Sequence, residues 1–155
     1  MERGIDYPGI TCVFFCHDGE GNFLMHKRSQ NCRDEKGCWD VGGGAVEFGA
    51  SLEETVEREV KEEYGTKPLD TIWVPTAETI LRTQNGVDSH WLALLYVVLV
   101  DRDEVRIGEP EKMDELGWFR RDDLPNPRHS QFDRFLEVID RANQKIIRDA
   151  LEGKF

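Results

Sequence analysis

The sequence of 155 residues lacks long hydrophobic runs. The longest, residues 91–100, is about half of the ~20 residues that a membrane-spanning helix needs. The first residues also lead into no hydrophobic segment of the kind found in a signal peptide. We therefore predict a cytoplasmic protein with no membrane partner. The length is that of one ordinary domain, so residues 1–155 are expected to fold around a single core.

Positive charge is also scarce. Lys and Arg number 20 against 31 Asp and Glu, which gives a formal net charge of -11. Such a surface repels the phosphate backbone of nucleic acids and the anionic face of membranes, so neither is an expected partner. A small phosphorylated ligand stays possible, because a bound metal ion reverses the local field.

The four cysteines offer no recognisable zinc site. Cys12 and Cys16 fall on one face of a predicted strand, while Cys32 and Cys38 lie in a polar loop. Neither pair has the C-x2-C spacing of a zinc knuckle. Free thiols are the expected state in a reducing compartment.

Runs of β-branched and aromatic residues predict two β-hairpins. The first joins residues 10–16 to residues 23–28, and the second joins residues 72–83 to residues 89–100 through the tight turn Asn85-Gly86. A polar loop at residues 29–37 follows the first hairpin. Two short strands are predicted at residues 39–41 and 116–120. A final helix begins at Ser130 and carries apolar residues at helical spacing: Phe132, Phe135, Leu136, Ile139, Ala142, Ile146 and Ala150.

Between the hairpins, residues 42–44 are all glycine, and we expect a loop whose backbone can approach a ligand closely because no Cβ intervenes. A helix then begins at Ser51, which forms an S-x-x-E capping box with Glu54. Gly65 supplies the left-handed stop. An apolar stripe repeats every four residues and faces the core: Leu52, Val56 and Val60.

Three glutamates, Glu59, Glu62 and Glu63, crowd the end of this helix. Like charges three or four residues apart share a helix face and cost roughly 0.2–0.5 kcal/mol per pair. The helix dipole opposes each exposed carboxylate there by roughly 0.3–1 kcal/mol more. We expect the trio to lie off the apolar stripe and to face away from the core. A solvated acidic face is one interpretation, and a site for a divalent cation, which would remove both costs, is the other.

The glycines and the acidic run together resemble the Nudix box, G-x5-E-x7-R-E-U-x-E-E-x-G-U, where U is a bulky aliphatic residue. Laid on this chain, the box covers residues 44–66. Two positions depart from the pattern, since Ala50 replaces the first glutamate and Thr66 the last aliphatic residue. The other positions match with correct spacing: Gly44, Arg58, Glu59, Val60, Glu62, Glu63 and Gly65.

This resemblance implies an α/β fold, the Nudix α/β/α sandwich, with a mixed β-sheet, the box helix beside the active site, and a C-terminal helix. It also implies hydrolysis of a nucleoside diphosphate linked to another moiety, with Mg2+ or Mn2+ as the cofactor. Carboxylates are the hard oxygen ligands that Mg2+ prefers. The metal would neutralise the diphosphate and lower the pKa of the attacking water.

By family position, Glu59 and Glu63 are metal ligands, and Glu62 is either a further ligand or part of the base system. Arg58 either orients the box glutamates or forms an i,i+4 pair with Glu62. The Gly43 carbonyl is an implied extra ligand, and a simple turn glycine is the alternative.

Family members often draw a late carboxylate from an acidic loop. Here Glu115 is the first choice and Glu109, which can also contact substrate, is the second, while ordinary surface charge is the alternative for both.

Arg28, at the end of the second strand, can meet a substrate phosphate. His90 and Trp91 either line a base pocket or are a surface histidine and a core tryptophan.

The leading hypothesis is a nucleoside triphosphate pyrophosphohydrolase that releases a nucleoside monophosphate. About sixteen residues after the box, ADP-ribose hydrolases carry proline and dinucleoside polyphosphate hydrolases carry tyrosine, whereas this chain has Arg82. ADP-ribose and nucleotide sugars stay open as substrates. The rival from another class is a weakened Nudix domain that binds a nucleotide as a sensor, which Ala50 favours. A homodimer is also possible, although no interface pattern is visible.

Overall fold

The structure is a computed structural model that describes residues 1–153, without the side chains of residues 145–150. Within these residues a seven-stranded mixed sheet and two helices confirm the predicted α/β class. The strands are β1 (Gly9–His17), β2 (Asn22–Arg28), β3 (Trp39–Asp40), β4 (Gly42–Ala45), β5 (Asp70–Gln84), β6 (Val87–Leu99) and β7 (Met113–Arg120). The helices are α1 (Leu52–Tyr64) and α2 (Phe132–Leu151).

Both predicted hairpins are present. β1 pairs with β2 and β5 pairs with β6, in each case antiparallel. The second turn is tight because Asn85 and Gly86 both adopt positive φ, at 52° and 77°. β1 and β6 pair in parallel from Gly9 opposite Trp91 to His17 opposite Leu99, and this contact joins the two hairpins into one sheet.

The glycine run is a strand rather than the expected loop. Gly42–Ala45 forms β4, which pairs antiparallel with β1 and places Gly44 opposite Cys12. The backbone therefore makes close contacts within the protein as well as bordering a cavity. A glycine-only stretch has no side-chain alternation, and for this reason its sequence carries no strand signal.

Alternate residues of β1 enter two separate cores. Phe14 packs in one cluster with Val56 and Val60 of α1, and Phe15 packs in the other with Phe132 of α2. Since neighbouring side chains of a strand point to opposite faces, the two helices cover opposite faces of the sheet. All four cysteines are free, as predicted.

The boundaries of α1 follow the sequence signals. The Ser51 hydroxyl accepts a hydrogen bond from the Glu54 N–H at 3.1 Å, and the Glu54 carboxylate accepts one from the Ser51 N–H at 2.8 Å. Gly65 ends the helix at φ 65°, and its N–H donates to the Lys61 carbonyl. The capping box and the left-handed stop are both confirmed.

The final helix starts at Phe132, two residues later than expected, after Ser130 has taken up contacts with Glu35. The predicted apolar side chains of Ile146 and Ala150 lie outside the described residues. Neither helix of the described part of the chain is long and apolar enough to cross a bilayer.

Candidate active site

Glu63 is buried at the end of α1, with 9% of its surface exposed. It follows Val60 by three residues and so continues the apolar stripe, which makes the expectation that it faces away from the core wrong. Glu62 is exposed as expected, and Glu59 is half-buried. One oxygen of Glu63 accepts a hydrogen bond from the Gly43 N–H at 3.2 Å, which ties the helix end to β4.

Glu59 lies directly against the glycine strand. A Cβ at Gly44 would stand 2.1 Å from the Glu59 carboxyl carbon, so a larger residue at this position would displace the Glu59 side chain. The Arg58 guanidinium donates to Glu59 at 3.1 Å and to the Ala45 carbonyl at 3.3 Å. Of the two interpretations offered for Arg58, these contacts favour orientation of a box glutamate over a pair with Glu62.

Burial and repulsion among carboxylates both shape the electrostatics of this end of α1. Burial raises the pKa of Glu63 well above its usual range, and the negative charges of Glu59 and Glu109 raise it further. Burial likewise raises the pKa of Glu59, where the hydrogen bond from Arg58 opposes the charges of Glu62 and Glu109. The ionised forms of Glu59 and Glu63 are therefore disfavoured by the protein alone.

A divalent cation fits this group by its chemistry. As they stand, no three His, Cys, Asp or Glu side chains within the described part of the chain converge closely enough to enclose an ion. The donors are nevertheless hard carboxylate oxygens, and a cation would relieve the repulsion that raises the pKa values of Glu59 and Glu63. The carbonyl of Gly43 stays a predicted extra ligand.

The late carboxylate whose charge acts on this group is Glu109 rather than Glu115. Glu115 is exposed on β7 opposite Lys27, and its neighbour Leu116 packs in the core cluster of α1. Strand alternation therefore turns Glu115 to the sheet face opposite the box glutamates. The charge of Glu109, by contrast, acts on both Glu59 and Glu63, which reverses the order that the sequence suggested.

A cavity of about 340 Å³ borders Glu63 and Gly43. Its wall also includes Arg28 and Trp91, as the sequence suggested for a phosphate contact and a base pocket. His90, the proposed companion of Trp91, borders a separate cavity instead. Several lining residues were not predicted as site residues from the sequence: Asp34, Gln84, Ser89, His129, Gln131 and Phe135.

Asp34 organises the polar side of this cavity. One of its oxygens accepts from Arg28 at 2.7 Å, and the other accepts from Arg82 and Gln84, both at 2.9 Å. Burial opposes the ionised form, but the Gln84 hydrogen bond and the two arginine charges outweigh it and hold the pKa of Asp34 below its usual range. Glu35 continues the network through a 3.2 Å bond from Arg82.

This network has no signal in the sequence. Asp34 and Arg82 are 48 residues apart and meet only because the loop folds over the end of β5. The loop at residues 29–37 was expected to be merely polar, whereas its carboxylates link β2, β5 and the residues that precede α2.

The two departures from the Nudix box have local explanations. Thr66 is 4% exposed, and its hydroxyl donates to Glu104 at 3.0 Å, so a polar residue is satisfied where the pattern has an aliphatic one. Ala50 donates its N–H to the Glu47 carbonyl in the turn that precedes α1.

Comparison with known proteins agrees with this geometry. A family model described as the NUDIX domain matches residues 7–138. The chain is 29% identical over 139 residues to an ADP-ribose pyrophosphatase of Methanocaldococcus jannaschii, covering 87% of this chain and 69% of the relative. It is 35% identical over 120 residues to the NAD-capped RNA hydrolase NudC of Citrobacter koseri, covering 77% of this chain but only 42% of that relative.

Among solved structures, a MutT NUDIX hydrolase from Burkholderia pseudomallei matches with a TM-score of 0.75 at 31% identity. The match covers 86% of this chain and 98% of that one, so it extends far beyond the box. The family model, the shared fold and the box residues gathered around Glu63 agree, and the chain belongs to the Nudix hydrolase superfamily.

Proposed function

We propose that this chain catalyses the Mg2+-dependent hydrolysis of a nucleoside triphosphate to a nucleoside monophosphate and pyrophosphate. One observation carries the proposal: the buried carboxylate Glu63, which shares its unbalanced charge with Glu59 and Glu109, borders a cavity that also contains Arg28 and Trp91. A metal-binding edge, a phosphate-binding cation and an aromatic surface are the groups that a nucleotide diphosphate requires.

Glu59 and Glu63 are the proposed principal metal ligands, with Glu109 and the Gly43 carbonyl as additional ones. When bound, Mg2+ would supply charge neutralisation for the diphosphate and a lowered pKa for the attacking water. Glu62 is exposed near the end of the same helix, and it can act as a further ligand or accept the proton of that water. Glu115 lies on the other sheet face and has no part in the proposal.

The remaining residues position the reacting groups. Arg58 holds Glu59 through the 3.1 Å hydrogen bond and so fixes the direction of one carboxylate. Arg28 bonds to Asp34 through Nε and one terminal nitrogen, and its other terminal nitrogen, 3.5 Å from Asp40, keeps a second N–H for a phosphate. Trp91 presents an aromatic surface on which a base can stack in the same cavity.

ADP-ribose is the second candidate substrate, because one relative at 29% identity bears the name ADP-ribose pyrophosphatase. Arg82 occupies the position at which the family's ADP-ribose hydrolases carry proline, which favours the triphosphate. The sensor alternative depends on Ala50, and the retention of Glu59, Glu62 and Glu63 argues against it.

Release of phosphate products from nucleoside triphosphates, ADP-ribose and nucleotide sugars, measured with and without Mg2+, tests the proposal. We expect metal-dependent turnover of at least one triphosphate with a kcat/KM above that of ADP-ribose. Turnover of ADP-ribose alone would establish the second candidate. Nucleotide binding with no turnover of any compound would establish the sensor. The cytoplasmic location, the absence of nucleic acid partners and the homodimer stay predictions.

A further inference from the structure

A second cavity, of about 430 Å³, adjoins the one described above. Five residues border both cavities and form their common wall: His26, Arg28, Arg33, Asp34 and Glu63. The carboxylate proposed to hold the metal thus stands between two compartments. A substrate that bridges this wall would place its diphosphate near Glu63 and one half of the molecule on each side.

The two compartments differ in chemistry. The first is lined by apolar and aromatic side chains: Val13, Val41, Ile80, Trp91 and Phe135. The second replaces these with Asn31, Cys32, Lys112 and Met113. An apolar surface with an indole suits a nucleobase, whereas a wall with amide and ammonium donors suits an anion.

Arg33 is the cation of the shared wall that lacks a counter-charge. Arg28 is paired with Asp34 at 2.7 Å, and Lys112 is paired with Glu109 at 3.1 Å. Arg33 is exposed and makes no ion pair or hydrogen bond with any other described residue. Burial lowers the pKa of His26 to about 4, so that ring adds no positive charge at neutral pH.

The guanidinium of Arg33 has no counter-charge among the described residues, although the chain has a net charge of -11. Carboxylates are abundant in this protein, yet none neutralises Arg33 in the described structure. Lys112 also lines the second cavity, and its ammonium has three donors, so the contact with Glu109 leaves donors for a ligand. Asp34 and Glu63 line this cavity too, but Asp34 is paired with Arg28 and Glu63 is a proposed metal ligand, so the two cations with free donors suit the second compartment to an anionic group.

We propose that Arg33 and Lys112 bind the terminal phosphates of the substrate and thereby make the chain selective for nucleoside triphosphates over ADP-ribose. This inference rests on the proposed function. Hydrolysis breaks one bridging P–O bond, and water supplies a hydroxyl to one product and a proton to the other. The half in the second compartment leaves as pyrophosphate from a triphosphate, but as ribose phosphate, with fewer charges, from ADP-ribose.

ATP and ADP-ribose provide a matched test because both carry adenosine and differ only beyond the second phosphorus. We expect Arg33→Gln to lower kcat/KM for ATP by about tenfold or more, as loss of a charge-assisted contact implies. Lys112→Gln should lower it by roughly threefold to tenfold on the same grounds. For ADP-ribose, Arg33→Gln should stay within about twofold of the parent, whereas Lys112→Gln, which also frees Glu109, should lose less kcat/KM than it does for ATP.

Lys36→Gln is the matched control, since Lys36 is an exposed cation of the same loop and borders neither cavity. This variant removes the same charge and should leave kcat/KM for both ATP and ADP-ribose unchanged. The inference would be overturned if Arg33→Gln lost equal kcat/KM for ATP and ADP-ribose, or lost none for ATP.

A binding measurement separates this inference from the proposed function. With Mg2+ present, calorimetry should show that Arg33→Gln binds a non-hydrolysable methylene-bridged ATP analogue about tenfold more weakly than the parent, and AMP equally well. If the parent hydrolyses no nucleotide, the proposed function fails, and this ratio still decides the role of Arg33. Equal affinity of the two proteins for the analogue would remove Arg33 from the site.

Discussion

Two acidic regions border the same cavity, and they differ in whether the chain balances their charge. Asp34 in the loop accepts hydrogen bonds from Arg28 and Arg82, which hold its pKa low. Glu63 on α1 accepts a hydrogen bond from the Gly43 N–H, but burial and the charge of Glu59 raise its pKa. The charge of the first region is balanced by side chains of the folded protein, whereas the charge of the second is balanced only when a cation binds.

Removing the charge of Glu63 should have the largest effect on activity. Glu63→Gln keeps the size of the side chain and its oxygen for Gly43, but loses a proposed metal ligand. We expect kcat to fall by about a hundredfold or more, since a bound metal contributes several kcal/mol to such reactions. Stability without metal should be unchanged or higher, because a buried charge disappears. Turnover equal to that of the parent would show that the carboxylate serves the fold alone.

Removing the carboxylate of Asp34, in the balanced region, should mainly lower stability. Asp34→Ala leaves Arg28, Arg82 and Gln84 without their shared acceptor inside a partly buried network. We expect a loss of about 1–3 kcal/mol in the free energy of unfolding, measured with urea. Asp34→Asn, which keeps one acceptor oxygen, should lose less. No loss in either variant would mean that the network contributes nothing to the folded state.

Variants of Glu109 and Glu115 test which late carboxylate belongs to the unbalanced region. Glu109→Gln should lower kcat/KM by about tenfold, as expected for a group that tunes a metal site. Glu115→Gln, on the opposite sheet face, should stay within about twofold of the parent, like most surface substitutions. The reverse order would restore the ranking that the sequence suggested.

The pH dependence of stability should differ in sign between the two regions. Asp34 has a lowered pKa, so its contribution is present above its unfolded pKa and is lost as pH falls through the folded value. Glu63 has a raised pKa, so without metal the folded state loses stability as pH rises from the unfolded pKa through the folded one. When the free energy of unfolding is measured across pH, the profile of Glu63→Gln should lack the Glu63 component, and that of Asp34→Asn should lack the Asp34 component. A pH profile identical to that of the parent in both variants would contradict these assignments.

Local signals in the sequence were sufficient to predict α1 and the second hairpin. The Ser51 capping box, the Gly65 stop and the Asn85-Gly86 turn each determine backbone geometry within a few residues, and each is present. These predictions succeeded because the interactions that decide them are short in sequence. The box spacing also placed Glu59, Glu62 and Glu63 near the end of this helix, while their roles in metal binding stay predictions.

Contacts between distant segments were not predictable in the same way. Burial of Glu63 depends on β4 packing against α1, and the glycines of β4 carry no strand pattern. The Asp34 network depends on the meeting of β2, β5 and a polar loop. The long parallel pairing of β1 with β6, which creates the cavity between these parts, also leaves no local trace in either strand.

Binding of a paramagnetic ion tests most directly whether the unbalanced carboxylates hold a divalent cation. Mn2+ can be titrated into the parent, Glu63→Gln and Asp34→Asn while the signal of free Mn2+ is followed by electron paramagnetic resonance. We expect the parent and Asp34→Asn to bind the ion alike, and Glu63→Gln to bind it at least about tenfold more weakly. Equal Mn2+ affinity of the parent and Glu63→Gln would contradict the assignment of this helix end as the metal site.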